Sequence, residues 1–199
     1  QYIGLWELLS LIGQVLVGLL IMREFTQSRW VQTLSASLLV LAPPMLWRAF
    51  VHPSLAAHWI ILAAIWLTLL EYRHKLWRDA WFVLFALAML IHAYYIPMIL
   101  PFWLASLFLR YKNENKKWRA GIDALVVAAI VTLLGFLTGL FKLGSSSLAA
   151  DGFGSYSWNL NGFVNPMQYS AIFKNGIANG MLGQYEGFSY LGLGLMLVL

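Results

Sequence analysis

The chain has 199 residues, 61% of them apolar and only 11% charged, with a mean hydropathy of +0.72. A soluble domain is about 45–50% apolar and about 25% charged, so one aqueous core cannot hide this much apolar surface. A disordered chain, a collagen-like repeat and a cytosolic α/β enzyme are excluded. The absence of cysteine excludes disulfides, Cys-ligated zinc and iron–sulfur clusters. The net charge of +5 does not point to nucleic acid, because membrane proteins gather Lys and Arg in cytoplasmic loops. The composition predicts an all-α, polytopic transmembrane helical bundle.

A bilayer core about 30 Å thick takes roughly 17–25 apolar residues per helix. The first such run is 1–22, and the last, 189–199, stops inside an apolar stretch. With Gln1 at its start and no basic n-region or cleavage site, the chain reads as a fragment cut within membrane helices at both ends. In 1–22, Glu7, Ser10, Gln14 and Gly18 share one helical face. A carboxylate there faces a cavity or a partner, or packs with Gln14 near the outer interface.

A second run, 30–46, leads into an outer segment, 43–58, opened by Pro43-Pro44 and carrying Arg48, His52 and His58. The two histidines are six apart, not at the i, i+4 spacing of a zinc protease helix. No metal site is therefore expected. Arginine binds phosphate in a bidentate fork, so Arg48, His52 and His58 are read as recognising a phosphate or polar headgroup. The plainer alternative is capping, with interfacial anchoring by Trp47 and Trp59.

The third run is 54–70, and a double-length stretch, 80–109, follows. Its flanks hold Arg73, Lys75 and Arg78 on one side and Arg110, Lys112, Lys116, Lys117 and Arg119 on the other. With Arg23 and Arg29, these clusters contain ten of the thirteen Lys and Arg, and the positive-inside rule places all three in the cytoplasm. The stretch must then cross an even number of times. Pro97 and Pro101 break it, which predicts helices over 80–92 and 95–109 turning around His92-Ala93-Tyr94-Tyr95. His92 joins the candidate binding residues.

The run 120–141 carries Gly135-Phe136-Leu137-Thr138-Gly139, a pattern that lets spanning helices approach closely. Asp123 lies in its first turn, where a carboxylate complements the helix dipole. The loop 142–188 is expected on the outer face. It holds four formal charges, eight aromatics and five of the seven Asn in 47 residues, and so reads as ordered. Gly152-Phe153-Gly154 has no strand before it and is no nucleotide fingerprint. The string from Gly183 to Gly192 sets Glu186 among glycines, aromatics and an amide. Together with Asn159 and Asn161, Gln184 and Tyr185 suit a hydroxyl-rich ligand, held by stacking and carboxamide hydrogen bonds. Glu186 is the candidate catalytic carboxylate, since Glu7 has a packing role and Asp151 a turn role.

These strings, from His52-Pro53 and Ala57-His58-Trp59 through Asn159-Leu160-Asn161 and Asn165-Pro166 to Gln184-Tyr185-Glu186-Gly187-Phe188, resemble an uncharacterised family of bacterial polytopic membrane proteins. That family looks like the GT-C superfamily, whose multi-helix glycosyltransferases use polyprenyl-phosphate sugar donors. The resemblance implies a single membrane domain in the bacterial inner membrane, with a short helical hairpin and an outer-face loop. Its full-length parent would move a sugar from a polyprenyl-phosphate donor to an envelope glycan or lipid. The alternative is a non-enzymatic transporter or scaffold for envelope lipids. In GT-C enzymes the usual acidic residue lies in a first outer loop, which this fragment lacks. The fragment alone is therefore expected to be inactive. No cofactor is evident, which leaves room for a divalent metal only in the parent. Membrane lipid and the lipid-linked donor are the expected partners, and nucleic acid is not.

Overall fold

The structure is a computed structural model that describes residues 2–73, 77–113, 117–142, 159–167, 169–172, 188–192 and 196–197. Among the described residues seven α-helices run in chain order: α1 Tyr2–Arg23, α2 Arg29–Val40, α3 Pro43–Val51, α4 Trp59–Tyr72, α5 Arg78–Ile91, α6 Tyr95–Asn113 and α7 Trp118–Leu137. Short 3-10 turns cover Pro53–Leu55, Leu140–Lys142 and Leu160–Phe163, and no strand occurs among the described residues. α1, the stretch Pro53–Tyr72 and α7 are each long and apolar enough to cross a membrane. Leu5, Leu8, Ile12 and Leu16 of α1 and Leu125, Leu133 and Phe136 of α7 are exposed. Such a surface fits lipid and not water.

The core forms where α4 lies against α1, α5 and α6 while α7 covers α5. Ala57, Ile60, Ala64 and Leu67 of the α4 region meet Trp81, Phe85 and Ala88 of α5 and Tyr95, Ile99 and Trp103 of α6. Small residues on α4 let the large α5 and α6 rings fill the space, and Phe85 meets Trp103 edge-on with centroids 5.4 Å apart. α2 packs on α1 through Gly18, where an added Cβ would come within 3.0 Å of Leu39 and 3.3 Å of the Ala36 side chain. The polar face read in α1 is real: Ser10, Gln14 and Gly18 are buried, and Gln14 Nε2 donates to the Leu39 carbonyl at 3.4 Å. Glu7 is only half-buried.

Several expected boundaries change. The run 30–46 is not one helix, because α2 stops at Val40 and the chain bends by 51° into a helix that starts at Pro43. Proline lacks the N–H that would continue the ladder but fits a first helical position, so Pro43 ends one helix and begins another. The pair over 80–109 folds as two helices, with the break at His92–Tyr94. α6 nevertheless continues to Asn113 and carries Pro101 inside it, so its 19 residues reach about 28 Å. Pro97 falls in the first turn, where no intrahelical donor is lost. The run 120–141 ends at Leu137, and Gly139 sits past that end at φ +79°. That left-handed cap removes Gly139 from any helix face, so the glycine pair is not a helix-packing motif. Residues 188–192 form no helix either, and Gly192 at φ +84° cannot continue one.

The helix ends sort into two groups. Arg73 after α4 pairs with Glu24 after α1 at 2.8 Å. Arg110 at the end of α6 grips Glu71 of α4 through Nε, 2.9 Å from both carboxylate oxygens, and through Nη2. Its Nη1 donates to Asp123 of α7 at 2.8 Å, and Arg78 of α5 lies 3.4 Å from the same carboxylate. The described residues at the C-terminal ends of α1, α4 and α6 and at the starts of α5 and α7 thus share one end, the basic end. At the other end Trp6 Nε1 donates to the Pro53 carbonyl at 2.8 Å, beside the α5–α6 turn.

Candidate functional site

The end opposite the basic one holds a cavity of about 660 Å³ lined by Arg48, His52, Leu55, His58, His92, Tyr94, Tyr95 and Met98. Its polar groups come from three separate stretches of chain. Arg48 is in the last turn of α3, where its charge complements the helix dipole. His52 caps that helix with φ −137°, and Pro53 follows it in a 3-10 turn. His58 stands directly before α4, turned in by the hydrogen bond from its N–H to the Ala56 carbonyl at 2.8 Å. His92 ends α5, and Tyr95 begins α6 with its ring buried. Buried Ala56 and Ala57 leave room for the rings above them.

The four residues singled out for phosphate or headgroup recognition, Arg48, His52, His58 and His92, therefore meet around one space. Tyr94 and Tyr95 join them, and among the described residues no carboxylate lines the wall. His92 Nδ1 accepts the Tyr94 backbone N–H at 3.2 Å, which leaves Nε2 carrying the proton in the neutral ring. The Tyr94 ring meets the imidazole edge-on, with centroids 4.7 Å apart. Burial first, and the neighbouring His52 second, hold the His92 pKa below the usual histidine value of 6.5. One guanidinium, three imidazoles and two phenols form a donor-rich wall suited to an anion with several oxygens. Among the described residues no three His, Asp or Glu side chains lie close enough together to share one metal ion.

Asn159 and Asn161 lie elsewhere. Asn159 Oδ1 accepts the Asn161 N–H at 3.2 Å and caps the turn Leu160–Phe163, and neither side chain lines the cavity. Their segment is nevertheless attached at the same end. Trp47, next to Arg48, packs its ring against Tyr169 at 5.5 Å and Phe188 at 5.7 Å, and Leu191 N–H donates to the Phe163 carbonyl at 3.1 Å. Glu186, Gln184 and Tyr185 lie outside the described residues.

Sequence reading missed the buried group Glu71–Arg110–Asp123, whose side chains are at most 5% exposed. Arg110 looked like one more cytoplasmic charge and Asp123 like a dipole partner. The available signal was a carboxylate at the end of each of two apolar runs, with an arginine at the end of a third. Tyr94, Tyr95 and Met98 were also missed as cavity wall, although their position beside His92 pointed to them.

The sequence profile of a family described as a domain of unknown function, DUF6311, matches residues 1–199. The chain belongs to this family. No curated protein and no solved structure matches the chain. DUF6311 membership thus covers α1 to α7 and the cavity.

Proposed function

We propose that this DUF6311 chain is the membrane-embedded part of a GT-C-like glycosyltransferase, and that its cavity holds the phosphate of a polyprenyl-phosphate sugar donor. The observation that carries this reading is the meeting of Arg48, His52, His58 and His92 around one space. Transfer of a sugar from phosphate leaves negative charge on the departing oxygens. A guanidinium and imidazole N–H groups positioned there stabilise that charge as it develops. Leu55 and Met98 on the wall give the first carbons of the lipid an apolar contact. The acceptor hydroxyl needs a base, and the proposal assigns that role to Glu186, with Asn159, Asn161, Gln184 and Tyr185 as sugar-facing groups of the outer segment. The site then opens on the outer face of the bacterial inner membrane, with the basic end in the cytoplasm.

The test uses farnesyl phosphate as a short soluble probe, titrated into the protein in nanodiscs and followed by tryptophan fluorescence. Binding that weakens about tenfold or more in Arg48→Gln and in His52→Gln supports the site, since a charge-assisted hydrogen bond contributes about 1.5–3 kcal/mol. Equal binding of farnesol, which lacks the phosphate, refutes it.

A further inference from the structure

We infer that the basic end carries a second anion site, between α1 and α2, for the phosphodiester headgroup of an anionic glycerophospholipid. A cavity of about 570 Å³ opens there, lined by Leu19, Arg23, Gln27, Arg29, Gln32 and Thr33. Arg23 ends α1 and Arg29 begins α2, so one short turn presents both guanidiniums to the same space. The turn is held in shape by Gln32 Nε2 donating to the Thr26 carbonyl at 2.8 Å and by the Ser28 N–H donating to Thr26 Oγ1 at 3.2 Å. Among the described residues no carboxylate pairs with Arg23 or Arg29, and Glu24, which lies between them, is engaged by Arg73. Two exposed cations at the edge of a membrane bundle, with the acid between them turned to another helix, call for an external anion.

The membrane supplies that anion. Phe25 is 64% exposed and Trp30 is 81% exposed on the same turn. Exposed aromatics beside basic residues at a helix end sit at the level of the lipid headgroups. A phosphodiester at that level meets the arginines, with Gln27 and Thr33 offering hydrogen bonds and Leu19, a turn deeper in α1, meeting the acyl chain. Basic pockets between membrane helices recognise lipid headgroups in this way. Helix α2 adds to the field, since Ser28 makes no side-chain cap and the positive end of the helix dipole faces the turn. This site is at the opposite end from the donor cavity and does not depend on that cavity's function.

The experiment measures lipid retained by the full chain after extraction from vesicles of mixed phosphatidylglycerol and phosphatidylcholine, by native mass spectrometry. Phosphatidylglycerol should be retained over phosphatidylcholine. Each of Arg23→Gln and Arg29→Gln should lower that preference about fivefold, and the pair about thirtyfold. The Arg23→Lys, Arg29→Lys pair should keep most of it and serves as the check on folding. Arg119→Gln, an exposed charge at the same end that does not line the cavity, should change nothing. An unchanged preference in the double Gln variant overturns the site. So does an equal loss in Arg119→Gln, which would mean that only total surface charge matters. Displacement of the lipid by inorganic phosphate at matched concentration would assign the cavity to a free anion and overturn the lipid reading.

Discussion

Replacing Arg110 with methionine keeps most of the side-chain volume and removes one buried cation. Both members of the Arg110–Glu71 pair have side chains 1% exposed, and that of Asp123 is 5% exposed. Asp123 keeps Arg78 at 3.4 Å, but Glu71 loses all its charged hydrogen bonds at once. Breaking a buried pair from one side costs about 3–5 kcal/mol, because the remaining charge is left without a partner or solvent. For a chain of this size that corresponds to a fall in melting temperature of about 6–20 °C. The assay is thermal unfolding in nanodiscs, followed by intrinsic tryptophan fluorescence. Trp81 on α5 neighbours Glu71 and reports on this junction. The double variant Glu71→Leu, Arg110→Met removes both charges and should recover at least half of the loss. If Arg110→Met melts within about 2 °C of the parent, or if the double variant is as unstable as the single one, the ion group does not hold the helices together.

Three further outcomes are expected. The chain has no cysteine, so single cysteines report topology without background: Tyr94→Cys should react with an impermeant reagent from one side of the membrane and Asn113→Cys only from the other. Labelling of both from one side would refute the paired crossing of α5 and α6. Because His92 holds its proton less readily in the fold than in the unfolded chain, stability should be full above about pH 6.5 and decline as pH falls through that value. Arg48, His52 and His58 share the cavity, so the part due to His92 is the difference between the parent and His92→Gln, whose melting curve should be flatter from about pH 7 to about pH 5. Glu186→Gln in the full-length protein should leave expression intact and lower sugar transfer by about 10²-fold, and normal transfer would remove Glu186 from the site.

Composition and charge made the helical bundle and its basic end legible, because lipid-facing helices must be apolar and their connecting loops need not be. The α5–α6 pair was legible for a more particular reason. Basic residues on both flanks demanded an even number of crossings, and His92-Ala93-Tyr94 was the polar break between them. The cavity at the other end was legible in part, since Arg48, His52 and His58 lie within eleven residues of one another and His92 lies at a predicted turn. Tyr94 and Tyr95 were legible as neighbours of His92 but not of His58, because only the packing of α4 on α6 brings them to the same wall. Likewise, the residue type of Asn159 did not tell that its Oδ1 accepts the N–H two residues on and shapes the turn Leu160–Phe163. The ion group was invisible because its partners are 39 and 13 residues apart and sit on different helices. No local spacing encodes such a match.

The same separation has a consequence for how the protein is made. Glu71 leaves the ribosome 39 residues ahead of the arginine that neutralises it, an interval of roughly 2–8 s at about 5–20 residues per second. During that time α4 carries a carboxylate with no mate at the edge of the bilayer, and only the return of α6 to the basic end supplies one. Asp123 follows 13 residues later and closes the group. The expected consequence is that α4 to α7 settle together, and that a chain stopped between α5 and α6 leaves Glu71 without its arginine.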